Sequence, residues 1–223
     1  MDTVIMFDVN ETLLDLAPVR DWFSQRYVDE PTAAEWFAEL LRLSFVSSVT
    51  DRYEPFTDLA GAALETVSRR YGVPVAPENL AAIKGILATL PPHNDVVQGL
   101  TDLGNAGFTL AALTNSPMAT ATAQLDNAGI ADFFDTVMSV DMVQRFKPHR
   151  SVYLQAATNL ATAPSDIVMV AAHDWDIAGA LSAGLDGIFI ERPGQQYSPA
   201  FAAPTLIAQD IAAAATPIID RYA

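Results

Sequence analysis

Cysteine does not occur in the 223 residues, which excludes disulfides, thiolate zinc sites and cysteine nucleophiles. Positive charge is scarce. Twelve lysines and arginines against 27 acidic residues leave a formal net charge of −15, and Lys84 and Lys147 are the only lysines. Such a surplus of negative charge argues against nucleic acid or an anionic membrane as a partner. No apolar run approaches the length of a membrane span, and the N-terminus lacks the basic region and cleavage site of a signal peptide. A soluble, cytoplasmic protein is expected. What the chain has in plenty is apolar residues, 51% of the total. That suffices for one large domain, or for a core with a smaller domain inserted.

The chain opens on four apolar residues, Val4-Ile5-Met6-Phe7, that run straight into Asp8 and the polar turn formers after it. A short unbroken apolar run bounded in this way reads as a fully buried parallel strand. Ligands of open α/β sheets sit outside the carboxyl ends of the strands, so Asp8 either stands at the mouth of a site or ends the strand as a turn residue.

Residues 16 to 94 show helical patterning and no strand. Pro18 stands early in a first helix, and Thr32-Ala33-Ala34-Glu35 fits a capping box opening a second that carries Trp36, Phe37, Leu40 and Leu41. A third helix spans Asp58 to Tyr71, and Pro77-Glu78 opens a fourth that ends before Pro91-Pro92. From Asp95 onward helices alternate with apolar runs: strands over Phe108 to Leu113, Thr136 to Val140, Ile167 to Ala172 and Gly187 to Ile190, with helices between them, one from Pro148 to Leu160. The tail from Thr205 is expected to be helical. Repeated β-α units imply an α/β, doubly wound parallel sheet. The expected division is a Rossmann-like core of residues 1–15 plus 96–223 and an inserted all-helical cap of residues 16–95.

Three strand ends then bring polar groups to one edge of the sheet: Asp8, Thr114-Asn115, and His173 through Asp176. Lys147 follows a fourth strand. A carboxylate nucleophile must be ionised yet poorly hydrated, and a buried cation achieves this. Lys147 can supply the charge, or it can be an ordinary solvated lysine. Thr12 and Thr114 can donate hydroxyl hydrogen bonds to the carboxylate or to a substrate carboxyl group, or can cap local backbone. Asn115 can orient Asp8 or occupy a turn. His173 can act as a base, oriented by a hydrogen bond to Asp176, or can cap a helix beside Asp174.

Phe7-Asp8 with Thr12-Leu13, then Thr114-Asn115, Lys147 and Trp175-Asp176, resemble in order the four motifs of the haloacid dehalogenase superfamily, across essentially the whole chain. The resemblance implies that Asp8 is a nucleophile. Magnesium-dependent phosphatases of the superfamily carry an acid where this chain has Asn10, and another where it has Ala172. Mg²⁺ requires several hard oxygen ligands, so neither a metal nor another cofactor is expected. Lys147-Pro148 with Tyr153, and Trp175-Asp176 with Gly179-Ala180, are similar to the type II, or L-2-haloacid, dehalogenases. Asp51-Arg52-Tyr53-Glu54-Pro55-Phe56 resembles their cap segment and makes Phe56 a pocket wall.

What the resemblance implies is attack by Asp8 on carbon 2 of a short 2-haloalkanoic acid, loss of halide, and hydrolysis of the aspartyl ester. It makes Asp8, Thr12, Lys147 and Asp176 members of the reacting set, to which the chemistry of the imidazole adds His173 as a base. Asn10, Phe37, Phe56, Thr114, Asn115, Tyr153 and Trp175 are the substrate-binding candidates, a small carboxylate the partner, and a homodimer the assembly. The chain departs from the family at Phe37 (an arginine there), Asn10 (a tyrosine), His173 (an asparagine) and Ala171 (a serine). A departing anion in a dry pocket needs a positive or hydrogen-bonding partner. Arg42 and Arg52 are the candidates to take the place of the lost one. Attack on another electrophile, a phosphatase, and a binding protein that kept the fold are the alternatives.

Overall fold

The computed structural model describes residues 3–27 and 31–223, the side chains of residues 31 and 32 apart. Its centre is the opening apolar run. β1 (Val4–Phe7) is buried along its whole length because neighbours cover both of its edges and both faces. On one side it pairs in parallel with β2 (Thr109–Thr114), which pairs with β3 (Thr136–Ser139). On the other side it pairs with β4 (Ile167–Ala171), followed outward by β5 (Asp186–Ile190) and β6 (Leu206–Ala208). The six strands run in the order β3-β2-β1-β4-β5-β6.

Strand order reverses between β1 and β4. Such a switch point opens a crevice at the carboxyl ends of the two strands, where ligands of doubly wound sheets bind. The Asp8 N–H still extends the ladder, donating to Val170 O at 3.0 Å. The nucleophile candidate therefore sits at the end of β1 with its backbone held by β4.

Between β1 and the rest of the sheet come α1 (Ala17–Ser24), α2 (Pro31–Val49), α3 (Phe56–Arg70) and α4 (Pro77–Ala88). Aromatic residues at helical spacing join them: Phe23 lies 5.4 Å from Tyr27 and 5.6 Å from Trp36, whose Nε1–H donates to Ala60 O at 3.0 Å. α2 begins at Pro31, so Thr32 lies inside the helix rather than capping it, and its side chain is outside the described residues. The two connections to the sheet run side by side, with Asp15 N–H on Pro91 O at 2.8 Å and His93 N–H on Leu13 O at 2.9 Å.

The sheet-covering helices are α5 (Val96–Asn105), α6 (Met118–Asn127), α7 (Arg150–Asn159), α8 (Asp174–Ala183) and α9 (Ile211–Tyr222). α8 ends at Gly184, whose φ of 92° is the left-handed conformation that closes helices and favours glycine. Several boundaries shift by one or two residues, and two of the differences have a physical reason. α7 starts at Arg150, because the His149 imidazole accepts the Ser151 N–H and caps the helix there. The tail from Thr205 first forms β6, a three-residue edge strand too short to show alternation, before α9 begins. Among the described residues no helix is long and apolar enough to cross a membrane.

Candidate active site

Lys147 is completely buried, and its ammonium has three acceptors: Asp8 Oδ1 at 2.7 Å, Asp176 Oδ2 at 2.6 Å and Leu113 O at 2.9 Å. An ammonium has three protons, so this one is fully engaged. Asn115 positions it from behind, since Asn115 Oδ1 accepts the Lys147 N–H at 2.9 Å. Asn115 thus orients the lysine backbone rather than Asp8. Burial opposes ionisation of Asp8, but the charges of Lys147 and His173 prevail and hold its carboxyl well below the usual carboxylate range. Asp176 goes the other way. Burial is the largest influence and, with the charge of Asp8, outweighs Lys147 and raises its pKa. The same two carboxylates outweigh burial at Lys147 and raise its pKa, so it stays protonated.

Tyr153 reaches this group from α7, its hydroxyl donating to Asp176 Oδ1 at 2.6 Å. α8 comes close enough for that bond only because residue 179 is glycine. A Cβ there would stand 2.6 Å from both Tyr153 Oη and Pro148 Cβ. On the other side of Asp8, the Thr12 hydroxyl donates to Oδ2 at 2.8 Å and accepts the Ala172 N–H at 2.9 Å. Thr114 serves locally: its hydroxyl oxygen accepts the Ser116 N–H at 3.1 Å.

His173 departs most from expectation. Its Nε2 meets Glu11 Oε2 at 2.8 Å, while Asp176 is taken by Lys147 and Tyr153. The orienting carboxylate is therefore Glu11 and not Asp176. His173 Nδ1 lies 3.4 Å from Asp8 Oδ2, an ion-pair contact without hydrogen-bond geometry, so this buried nitrogen has no hydrogen-bond partner. Burial presses the imidazole toward its neutral form, but Asp8 and Glu11 overcome it and push the pKa up to about 9. At neutral pH the ring is a cation, not the neutral imidazole expected. Phe37 and Trp175 both stack with the ring, at centroid distances of 5.7 and 4.9 Å.

Phe56 is buried beside Phe146, with ring centroids 5.7 Å apart. Asn10 is tied into the wall near it, donating to Ser116 Oγ at 3.2 Å and accepting from Gln124 Nε2 at 2.9 Å. Both residues line a small closed space that includes Phe37 and Leu40. Phe37 also borders a larger cavity of about 330 Å³, where Glu11, His173, Trp175 and Gln195 form part of the wall. Arg42 turns away, pairing with Glu39 at 2.6 Å. Glu11 and Gln195 escaped the sequence reading. The one signal for Glu11 was its place between Asp8 and Thr12, and nothing local marked Gln195.

A magnesium ion does not fit these residues. An ammonium already stands between the two carboxylates that would hold it, and Ala172 has no side-chain oxygen to offer. Among the described residues no three acidic or imidazole side chains gather in a metal-holding group.

The family model of haloacid dehalogenase-like hydrolases matches residues 3–184. The chain belongs to that family. An (S)-2-haloacid dehalogenase of Pseudomonas sp. (strain YL) is 29% identical over 86% of this chain and 84% of its own length. One from Xanthobacter autotrophicus is 28% identical over 88% and 78%. The fold superposes on the Xanthobacter autotrophicus L-2-haloacid dehalogenase with chloropropionic acid covalently bound, at TM-score 0.91 and 23% identity over all of both chains. In this haloacid dehalogenase-like hydrolase, Asp8, Thr12, Lys147, Tyr153 and Asp176 form one bonded group. His173 joins it through Asp8, and Trp175 and Phe37 through His173.

Proposed function

We propose that the protein hydrolyses the carbon–halogen bond of a short 2-haloalkanoic acid, giving halide and a 2-hydroxy acid. Asp8 attacks carbon 2 with inversion and loss of halide, and water then opens the aspartyl ester. The observation that carries this reading is the fully engaged Lys147 ammonium 2.7 Å from Asp8 Oδ1. It keeps a buried carboxylate ionised and short of water, the state in which a carboxylate is a strong nucleophile. The curated relatives named above as (S)-2-haloacid dehalogenases support the same reading.

Thr12 steadies Asp8, and Asp176 with Tyr153 anchors Lys147. Asn10, Phe37, Phe56 and Trp175 are the walls of the substrate space, with Thr114 and Asn115 shaping the β2 end of it. Residues 16–95 act as a cap over a core of residues 1–15 plus 96–223, a division supported by the paired connections at 13–15 and 91–93. The partner is a small carboxylate, with no nucleic acid. The family resemblance supports a homodimer, and the charge of −15 with no cysteine suits the cytoplasm.

Halide release from 2-chloropropanoate in EDTA, beside a phosphatase assay with Mg²⁺, tests the proposal. Halide released without metal is expected; a strict need for Mg²⁺ and phosphate release would overturn it. Phe37, standing where the resemblance places an arginine, favours one second reading, in which Asp8 opens a less charged electrophile by the same attack.

A further inference from the structure

The turn after β1 is held from outside as well as from within. Inside it, the Leu13 and Leu14 N–H groups bond to Val9 O at 2.9 and 3.0 Å. Its next carbonyls are held by groups distant in sequence. Glu11 O lies 3.0 Å from His93 Nε2, Leu13 O accepts the His93 N–H at 2.9 Å, and Thr12 O, between them, accepts two hydrogen bonds from Arg192.

Arg192 stands two residues past β5 and is buried. Its Nε and Nη2 donate to Thr12 O at 3.1 and 2.8 Å, while Nη1 and Nη2 donate to Asp95 Oδ1 and Oδ2 at 2.6 and 3.0 Å. Four of the five guanidinium N–H groups are thus engaged in one plane, a fork that lysine cannot copy. Asp95 is fixed in turn, since its Oδ2 also accepts the Ile211 N–H at 2.8 Å where α9 begins. α5 and α9 touch there: a Cβ on Gly99 would stand 2.6 Å from Ile211 Cγ2.

The residue whose carbonyl is held in this way is the one whose hydroxyl donates to Asp8 Oδ2 at 2.8 Å. We propose that Arg192, aimed by Asp95, is a positioning residue for the nucleophile: it fixes the Thr12 peptide so that the Thr12 hydroxyl holds the Asp8 carboxylate in its plane of attack. The proposal rests on the reading of Asp8 as the nucleophile. Lys147 holds Oδ1 and Thr12 holds Oδ2, so the carboxylate cannot turn about its Cβ–Cγ bond. Release of Thr12 leaves the charge of Asp8 to Lys147 but frees that rotation. The loss then falls on bond formation with carbon 2 and not on binding of the substrate.

Two measurements test this. Arg192→Met keeps the length of the side chain and removes its donors. It is expected to lower the maximal single-turnover rate of halide release from 2-chloropropanoate by about 10- to 100-fold, the scale of a misplaced reacting group. The concentration for half-maximal rate is expected to stay within about threefold. In a Thr12→Val background the same substitution is expected to cost less than about threefold, because the group through which it acts is gone. Equal losses in the two backgrounds, or a loss under about threefold in the first, overturn the proposal. Asp95→Asn, which keeps the shape of the side chain and weakens its hold on Arg192, gives the same cycle in milder form if Arg192→Met does not fold.

The second measurement needs no turnover. The Ala172 N–H donates to the Thr12 hydroxyl, so its hydrogen exchange, followed by NMR, reports where Thr12 stands. In Arg192→Met that amide is expected to exchange at least about tenfold faster, as in Thr12→Val, while the ladder amides of β1 and β4 stay within about threefold of wild type. A uniform rise across the sheet, or an Ala172 amide as protected as in wild type, overturns the positioning role. A wild type that releases no halide would overturn the dehalogenase reading instead, and the exchange result would still decide the role of Arg192.

Discussion

Lys147 Nζ stands 2.7 Å from Asp8 Oδ1 at a point with no exposure to solvent, and on its far side it meets Asp176 at 2.6 Å. A buried cation between two carboxylates favours the charged state of both, and the one with further positive charge and hydrogen-bond donors around it is held ionised more strongly. Asp8, which also has Thr12 and His173, is that one. Lys147→Met, which keeps the bulk and removes the charge, is expected to raise the Asp8 pKa and reduce kcat/KM by about 1,000-fold or more. It is also expected to destabilise the fold by about 3–5 kcal/mol, as removing one partner of a buried pair does. Halide-release kinetics and denaturant unfolding check the two; a rate change under tenfold contradicts the role.

Thr12 tests the other oxygen of Asp8. Its hydroxyl bridges Asp8 Oδ2 and the Ala172 N–H, so Thr12→Val removes a hydrogen bond from each at nearly constant shape. The expected loss is about 1–3 kcal/mol of stability, with Thr12→Ser recovering most of it. Equal unfolding midpoints for the valine and serine variants would count against the bridge.

The raised pKa of His173 makes stability depend on pH. Its pKa goes from 6.5 to about 9 in the folded protein, so its contribution is fully present below pH 6.5 and is lost as pH rises toward 9. The expected loss across that window is on the order of 1–3 kcal/mol. Chemical unfolding at pH 6, 7.5 and 9 would show it, and His173→Gln should remove the slope. A slope unchanged in the variant would assign it to other groups.

Gly179 is expected to tolerate no side chain. Gly179→Ala would place a methyl against Pro148 and Tyr153, costing about 1–3 kcal/mol through overpacking. It would also shift Tyr153 from Asp176, so activity should fall with stability. Unfolding within 0.5 kcal/mol of wild type, roughly the scatter of surface substitutions, would mean that the two helices separate freely.

By itself the sequence determined the layers and most of the chemistry. Unbroken apolar runs such as Val4–Phe7 and Ile167–Ala171 are only stable when covered on both faces, and that requirement is written in composition. Polar residues directly after such runs must lie at the strand ends, so Asp8, His173 and Asp176 were legible as one edge. Lys147 stood out because lysines are so few. β6 was not legible, since three half-exposed residues on an edge have no period to read. Only the tertiary structure decided who bonds to whom. Asp176 and Glu11 are both carboxylates near His173 in sequence or space, and the packing of Tyr153 and Lys147 on Asp176 left Glu11 as the histidine's partner. The charge of His173 follows from that pairing. A pKa depends on distances to charges brought together by the fold, and no spacing along a chain contains them.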